Sequence, residues 1–287
     1  MKLISFKVKG KQSYGVVTEQ GVIDLSKHLP YTDLKDFITK GSLEEVESLS
    51  VQVDHRFDDV QLLPVITNPE KIFCAGVNYD AHRLEVKRDR TEHPTIFFRV
   101  AESQIAHGDS MLVPLESSRL DYEGEIAIVI AKEGRRISVE EAYEYIAGYA
   151  CYNDGTVRDF QVHTSQWGPG KNFSGTGAFG PYLVTRGEIE DGEVLNIETR
   201  LNGEVMQKSD TNYLLFSIPE LIQYVSQFTT LKPGDVIVTG TPGGVGNKRN
   251  PQVFMKDGDI VEVEVTKLGV LTNPIKQEQK VVVSLNS

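Results

Sequence analysis

The sequence predicts an α+β fold that is mainly β. Three observations lead to this prediction: many runs of β-branched and aromatic residues, two helix starts with a capping pattern, and a proline-containing segment that separates a small N-terminal part from a larger one. The chain has 287 residues, of which 39% are hydrophobic and 25% charged. This composition is typical of a globular protein that can build one large core, with or without a small satellite.

The N-terminal part is predicted to be a small β-rich module. Residues 13–17 and 19–25 read as short strands with turns, and residues 32–49 have a helical pattern. Pro64 and Pro69 then precede an apolar run. Because proline interrupts regular structure, we place the domain boundary near residue 68, with the module at 1–68 and the larger domain at 69–287.

The larger domain is predicted to consist mostly of strands. The predicted strands span residues 94–98, 123–131, 148–152, 194–201, 235–239 and 260–265. Two helices are predicted from the capping pattern of Ser followed three residues later by Glu, in which each side chain bonds the other residue's backbone N–H. One should run from Ser138 to near Gly148, and the other from Ser217 to about Gln227.

Charge and apolar content exclude several classes of function. A net charge of -11 and the lack of a basic stripe argue against binding to nucleic acid or to a membrane surface. The N-terminus has no apolar run of signal-peptide length, so we expect a cytoplasmic protein. Cys74 and Cys151 lie in apolar, strand-like sequence outside any paired motif, so we expect both to be core residues.

The most informative residues are three carboxylates near predicted strand ends. Glu123 and Glu125 are two apart, so a strand would direct both side chains to one side. Taken alone, such a pair is more typical of a solvated sheet edge. A second apolar strand, at residues 147–152, is followed by Asn153 and Asp154, and Asp154 adds a third carboxylate. Three carboxylates suit Mg²⁺ or Mn²⁺ better than Zn²⁺, which prefers nitrogen and sulfur ligands.

In these residues the sequence resembles the fumarylacetoacetate hydrolase family. The resemblance covers about residues 71 to 275 and rests on the order and spacing of four blocks. They are Asp121-Tyr122-Glu123-Gly124-Glu125, residues 153–161 (NDGTVRDFQ), Gly170-Lys171-Asn172-Phe173 and Thr239-Gly240-Thr241-Pro242-Gly243-Gly244. The resemblance implies a roll of mixed β-sheets shaped like a squashed barrel, a homodimer, and one Mg²⁺, replaceable by Mn²⁺, held by Glu123, Glu125 and Asp154.

The same resemblance implies a set of residues that face the substrate. Lys171 is expected to be catalytic, although alone it would be read as a solvated surface lysine. Arg158 could instead pair with Asp159 or another carboxylate. The expected substrate-binding residues are Tyr79, Arg99, Arg158, Gln161, Gly240 and Thr241, with Arg99 standing where a lysine is common in the family.

His82 and Glu85 form the expected acid-base pair. Their spacing places both on one face of a helix, where the carboxylate could orient the imidazole. In isolation this stretch reads as a solvated helix, but it is similar to the family's lid segment, in which a His and a Glu at this spacing activate water over the metal. Residues 80–93 have few apolar anchors, so we expect a mobile lid.

The resemblance implies an enzyme that cleaves a C–C bond in an acylpyruvate or related 1,3-diketo acid, through an enolate held by the metal. His82 and Glu85 would activate water, while Lys171 and Thr241 would stabilise anionic oxygens. Decarboxylation of oxaloacetate or keto-enol isomerisation would use the same enolate, so all three reactions stay open. A non-catalytic metal-binding scaffold is a further alternative, against which the His82 and Glu85 pair argues.

Overall fold

The computed structural model describes residues 1–280, in which strands outnumber helices. Strands β1 to β18 span Lys2–Val8, Lys11–Thr18, Gly21–Asp24, Gln61–Leu62, Ile72–Gly76, Thr95–Arg99, Gln104–Ile105, Met111–Val113, Leu120–Asp121, Gly124–Ile130, Ile146–Asp154, Thr156–Val157, Gly177–Thr185, Asn196–Leu201, Glu204–Asp210, Val236–Val238, Ile260–Val265 and Gly269–Gln277. Helices α1 to α6 span Leu34–Lys40, Leu43–Glu47, Asp80–Glu85, Arg158–Gln161, Gly168–Lys171 and Ile218–Phe228. Short 3-10 helices span Leu25–Lys27, Phe57–Asp59, Ala101–Ser103, Ala142–Tyr145, Arg186–Glu188, Thr211–Tyr213 and Gly246–Lys248.

The strands form one large and one smaller mixed sheet. The large sheet has the order β3-β2-β1-β13-β11-β10-β16-β5-β6, with β4 on β1 and β7 on β13. The smaller sheet has the order β15-β14-β17-β18-β8, and β9 pairs with β12. Because β3 and β6 are edge strands, the large sheet is open within the described residues. The mixed, mainly β architecture is as predicted, but the sheet does not close into the expected squashed barrel.

The core lies on both faces of the central strand β10. Ile126 and Ile128 pack in a cluster that includes Val263 of β17, between the two sheets. Ala127, which points to the opposite face, packs in a cluster that includes Phe37 of α1. A strand that is buried on both faces reads as a continuous apolar run, as residues 126–130 do. Burial of each large aliphatic side chain contributes roughly 1.5–3 kcal/mol, so β10 is firmly anchored.

The N-terminal residues extend the large sheet. Strand β1 pairs with β13, with Lys2 opposite Val184, so residues 1–68 and the rest of the chain share one hydrogen-bonded sheet. The helical pattern predicted at 32–49 forms α1 and α2, which are separated at Gly41. The β-rich character of this part is therefore confirmed, and β1 connects it directly to the larger domain.

Most of the predicted elements are present, with one exception. Each of the six predicted strands corresponds to a strand, and α6 begins after the capping box of Ser217 and Glu220. The helix predicted from Ser138 is wrong. Ser138 Oγ does accept from the backbone N–H of Glu141 at 3.3 Å, but only a 3-10 turn follows before β11 begins at Ile146. Pairing of β11 with both β10 and β13 outweighs the local helical signal.

Two further sequence expectations concern burial and membranes. Cys74 and Cys151 are buried free thiols, which confirms their prediction as core residues. In the described part of the chain, no helix has the length and apolar character needed to span a bilayer.

Candidate active site and metal centre

Three carboxylates meet where β10 begins and β11 ends. The two strands are antiparallel with Gly124 opposite Asn153, so the start of one lies beside the end of the other. One oxygen of each of Glu123, Glu125 and Asp154 lies within 4.8 Å of the other two, and all three residues are buried. This arrangement confirms that the two-residue spacing directs both glutamates to one side of the strand.

Three buried cations surround these carboxylates. Lys171 Nζ lies 2.6 Å from Glu123 Oε2 and 2.5 Å from Asp154 Oδ2. Arg99 Nη1 donates to Asp154 Oδ1 at 2.6 Å, and Arg158 Nη2 lies 2.7 Å from Glu123 Oε1. Burial by itself would raise the pKa of Glu123, but the charges of Arg158 and Lys171 hold this pKa well below its ordinary value.

Glu125 has far less compensation. Its Oε2 accepts a hydrogen bond from the backbone N–H of Gly240 at 2.6 Å, and it forms no ion pair with the lysines and arginines of residues 1–280. Burial raises the pKa of Glu125, and the negative charges of Asp154 and Glu123 raise it further. The site therefore concentrates its unneutralised negative charge on this one carboxylate.

The donor set fits a hard divalent cation. Four buried carboxylates, the three above and Asp121, face the three buried cations, which leaves one negative charge uncompensated. Mg²⁺ and Mn²⁺ favour carboxylate oxygens, whereas Zn²⁺ favours the nitrogen and sulfur donors that this cluster lacks. Glu123, Glu125 and Asp154 are thus suited to hold Mg²⁺ or Mn²⁺.

Helix α3 brings His82 and Glu85 into contact. His82 Nδ1 lies 3.0 Å from Glu85 Oε2, and Glu85 Oε1 accepts from the backbone N–H of Gly244 at 3.0 Å. A carboxylate accepts the Nδ1 proton, so the neutral imidazole keeps Nε2 as a proton acceptor. The contact has the geometry predicted from the three-residue spacing, and Gly244 fixes the carboxylate from outside the helix.

Asp121 connects the glycine-rich loop to a metal-ligand candidate. Its Oδ1 accepts from the N–H of Gly246 at 2.8 Å, and its Oδ2 accepts from the N–H of Asn247 at 2.9 Å and from Arg158 Nε at 2.7 Å. Arg158 in turn contacts Glu123. The carboxylate partners of Arg158 are therefore Asp121 and Glu123. Arg158 also lines the cavity.

Two of the carboxylates, Glu123 and Glu125, line a cavity of about 180 Å³. Pockets for drug-sized ligands usually measure roughly 300–1,000 Å³, so this cavity suits a small ligand. Its ionisable lining residues are His82, Arg88, Glu123, Glu125, Arg158, Lys171 and Lys248. The apolar part of the lining includes Ala75, Val77, Val86, Phe97, Val162 and Trp167.

Three of the predicted substrate contacts, Arg158, Gln161 and Thr241, line this cavity. Gln161 Oε1 accepts from Arg158 Nη1 at 3.0 Å, which joins two of them. The hydroxyl of Thr241 donates to the carbonyl oxygen of Gly124 at 3.0 Å. These residues are in position to touch a ligand, while their hydrogen bonds also support the carboxylate-bearing strand.

Arg99, Tyr79 and Gly240 lie outside the cavity lining, and their contact with a substrate stays a prediction. The Arg99 side chain is 0% exposed and donates to Asp154, so it orients a candidate metal ligand. Tyr79 is buried immediately before α3 and pairs through its backbone with Leu214. The N–H of Gly240 donates to Glu125. Gly240 has a positive φ of 101°, which explains why glycine stands at this position.

Three residues of the site, Asp121, Arg88 and Lys248, were not among the site residues predicted from the sequence. Asp121 lies two positions before Glu123, so strand alternation could have placed it on the same side. Arg88 and Lys248 occur in charged, exposed segments, where nothing in the pattern separates them from solvated residues. Their positions beside the cavity depend on how distant loops pack.

Comparison with known proteins places the chain among a set of related enzymes. The sequence family described as "Fumarylacetoacetate (FAA) hydrolase C-terminal" matches residues 71–276. Oxaloacetate tautomerase fahd2, mitochondrial, from Xenopus laevis is 38% identical over 287 residues, which covers 96% of this chain and 90% of that protein. Oxaloacetate tautomerase YisK from Bacillus subtilis (strain 168) is 41% identical over 225 residues, which covers 77% of this chain and 75% of that protein.

Two solved structures have the same fold over nearly the whole chain. Fumarylacetoacetate hydrolase (EaFAH) from psychrophilic Exiguobacterium antarcticum has a TM-score of 0.84 and 32% identity, covering 97% of this chain and 100% of that one. Maleylpyruvate hydrolase from Sphingobium sp. SYK-6, solved in complex with manganese (II) ion and pyruvate, has a TM-score of 0.82 and 25% identity over the same shares of the two chains.

Proposed function

The chain belongs to the fumarylacetoacetate hydrolase family, and we propose that it is a metal-dependent keto-enol tautomerase of oxaloacetate. One observation carries this proposal: His82, held by Glu85, lines the same small cavity as two of the three carboxylates suited to a divalent ion. A proton carrier and a cation site therefore serve one ligand. The proposal is also supported by similarity to two proteins named as oxaloacetate tautomerases.

The candidate metal ligands define the reacting end of the cavity. Glu123, Glu125 and Asp154 would hold Mg²⁺ or Mn²⁺. When bound, such an ion acts as a Lewis acid that favours negative charge on oxygen beside the carbon that loses its proton. Arg99 and Lys171 contact the two oxygens of Asp154 and so orient its carboxylate for this task.

His82 is the proposed proton carrier. Its Nε2 accepts a proton from C3 of the keto form, and the same proton then passes to the oxygen on C2 to give the enol. In the reverse direction the enol O–H returns its proton through the imidazole to C3. Glu85 stabilises the imidazolium that forms between the two transfers, since its carboxylate lies 3.0 Å from Nδ1.

The cavity provides two further contributions. Lys171 and Arg158 place positive charge along the lining, where it stabilises the negative charge that develops on the substrate oxygens. Phe97, Trp167 and Val86 supply apolar surface that limits access of bulk water. A reaction that only moves a proton benefits from this shielding.

Hydrolysis of an acylpyruvate or related 1,3-diketo acid is the second candidate. The specific observation in its favour is the similarity to maleylpyruvate hydrolase, at 25% identity and a TM-score of 0.82. In this reaction His82 and Glu85 would remove a proton from water, and the water oxygen would attack the distal carbonyl. Decarboxylation of oxaloacetate would need no attacking water.

A substrate panel tests the proposal. Metal-stripped protein, reloaded with Mg²⁺ or Mn²⁺, is mixed with enol oxaloacetate, and the loss of enol absorbance is followed beside pyruvate release. Acetylpyruvate and fumarylpyruvate are assayed in parallel. Accelerated loss of the enol without pyruvate is expected; faster cleavage of an acylpyruvate in kcat/KM would favour the hydrolase instead, and pyruvate released from oxaloacetate would indicate a decarboxylase.

A further inference from the structure

Two cations at the mouth of the cavity, Arg88 and Lys248, take no part in the proposed proton transfer. Arg88 follows α3, and Lys248 ends the 3-10 helix Gly246–Lys248. Both side chains line the cavity and both residues are exposed. Within residues 1–280, neither forms an ion pair with a carboxylate, whereas most of the other lining charges pair with one another.

Arg88 is held over the cavity wall. Its guanidinium carbon lies 5.3 Å from the centre of the Trp167 ring, a cation–π distance. Trp167 packs edge-on against Phe97 at 5.5 Å, and its ring lies so close to Gly76 that a side chain there would clash. The indole is thus fixed, and it orders the guanidinium before any ligand arrives.

The charge of the cavity also points to an anionic ligand with more than one charge. The chain as a whole carries a net charge of -11, so a cationic cavity stands apart from the rest of the molecule. Its lining acids, Glu123 and Glu125, are the ones that a divalent ion would neutralise. Arg88 and Lys248 then add to the positive charge of the interior and would attract a dianion.

The proposed function gives the enzyme a substrate with two carboxylates. On that basis we propose that Arg88 and Lys248 bind the substrate carboxylate that lies farther from the metal. The enzyme would accordingly select small 2-oxo dicarboxylic acids over 2-oxo monocarboxylic acids. A guanidinium donates two parallel hydrogen bonds to a carboxylate, and an ammonium adds a point charge beside it. The volume of about 180 Å³ limits the spacing between the two carboxylates to that of a short diacid.

Kinetics on a matched pair of substrates test this assignment. Oxaloacetate and its 4-methyl ester differ only at the distal group, which in the ester is uncharged and larger by one methyl group. For Arg88→Gln and for Lys248→Gln, kcat/KM for oxaloacetate should fall about tenfold, the usual scale for loss of a hydrogen bond to a charged group. The value for the ester should change less than threefold, and Arg88→Lys should retain more activity on the diacid than Arg88→Gln.

Arg90→Gln serves as the matched control, since Arg90 is an exposed arginine two positions away that lies outside the cavity lining. This variant should have the same kcat/KM as wild type on both substrates. Equal losses on the two substrates for the cavity variants would indicate a structural role and overturn the assignment. Unchanged kinetics in Arg88→Gln and Lys248→Gln would overturn it as well.

A binding measurement separates this inference from the proposed function. Trp167 is the single tryptophan of the chain and lies beneath Arg88, so its fluorescence reports on a ligand at the mouth. Metal-loaded wild type should bind oxaloacetate more tightly than the ester, and the double Gln variant should lose that preference even if neither ligand is turned over. Equal affinity of the wild type for both ligands would refute the inference, whatever the outcome of the tautomerase assay.

Discussion

The base of the cavity and its mouth are built in opposite ways. At the base, Asp154 and Lys171 are buried at the ends of core elements, and each makes more than one charge-assisted contact. At the mouth, Arg88 and Lys248 are exposed on short segments and have no carboxylate partner among residues 1–280. Under the proposed function, the sheet fixes the groups that carry charge in the reaction, while loops that can vary without unfolding the protein select the acid that enters.

Asp154→Ala should have the largest effect, because Asp154 lies at the centre of the buried network. The change removes a candidate metal ligand and leaves Arg99 and Lys171 with one carboxylate partner fewer. Breaking a buried ion pair typically costs about 3–5 kcal/mol, so the free energy of unfolding in urea should fall by that order. Metal affinity, measured by calorimetry, and turnover should be lost together; undiminished activity would remove Asp154 from the site.

His82→Ala tests the part of the site that joins the base to the mouth. Loss of a positioned general base typically lowers the rate by about 10²–10⁴-fold, so kcat should fall by this amount. Metal affinity should stay close to wild type, since His82 is separate from the three-carboxylate cluster. A selective loss of metal with little change in kcat would show that the proton carrier lies elsewhere.

Arg99→Lys should have an intermediate effect on the base of the cavity. Arg99 donates to Asp154, to the carbonyl oxygen of Gly155 and to the hydroxyl of Thr176, and a lysine cannot reproduce this fork. Groups that orient metal ligands usually contribute about 10–100-fold to metal affinity or activity. Metal affinity should therefore weaken on this scale; a change confined to KM would instead favour the substrate contact predicted for Arg99.

Glu125→Gln should have the smallest effect on the free energy of unfolding. In metal-free protein it should raise this free energy, whereas the other substitutions lower it or leave it unchanged. Burial and neighbouring charges raise the pKa of Glu125, so its contribution to stability is present below the ordinary pKa of a glutamate and is lost as pH rises toward the raised value. Glutamine does not ionise. In metal-free protein, the free energy of unfolding of the variant should therefore exceed that of wild type by an amount that grows from about pH 4 upward.

The control for this prediction is the metal-loaded protein. With Mg²⁺ present, wild type should be the more stable of the two, because the variant lacks one of the three carboxylate ligands. A pH-independent difference between the metal-free proteins would mean that Glu125 is already neutralised by a group other than a metal ion.

Features that depend on residues close together in the sequence could be predicted, whereas those that depend on distant residues could not. The carboxylate cluster depends on alternation along β10 and on one neighbouring strand, so local pattern was enough to find it. Arg99 lies 55 residues from Asp154, and no local pattern specifies that pairing. The helix expected after Ser138 failed for the same reason, since the sheet that absorbs residues 146–154 is assembled from distant strands. The homodimer and the mobile lid stay predictions.

The most direct test of the central claim follows the C3 hydrogens of oxaloacetate by NMR in D₂O, with metal-loaded wild type and His82→Ala side by side. A tautomerase must exchange these hydrogens for deuterium without cleaving a C–C bond. We predict that wild type accelerates deuteration before pyruvate appears and that His82→Ala loses most of this acceleration. Pyruvate formed without accelerated exchange, or exchange equally fast in His82→Ala, would contradict the account.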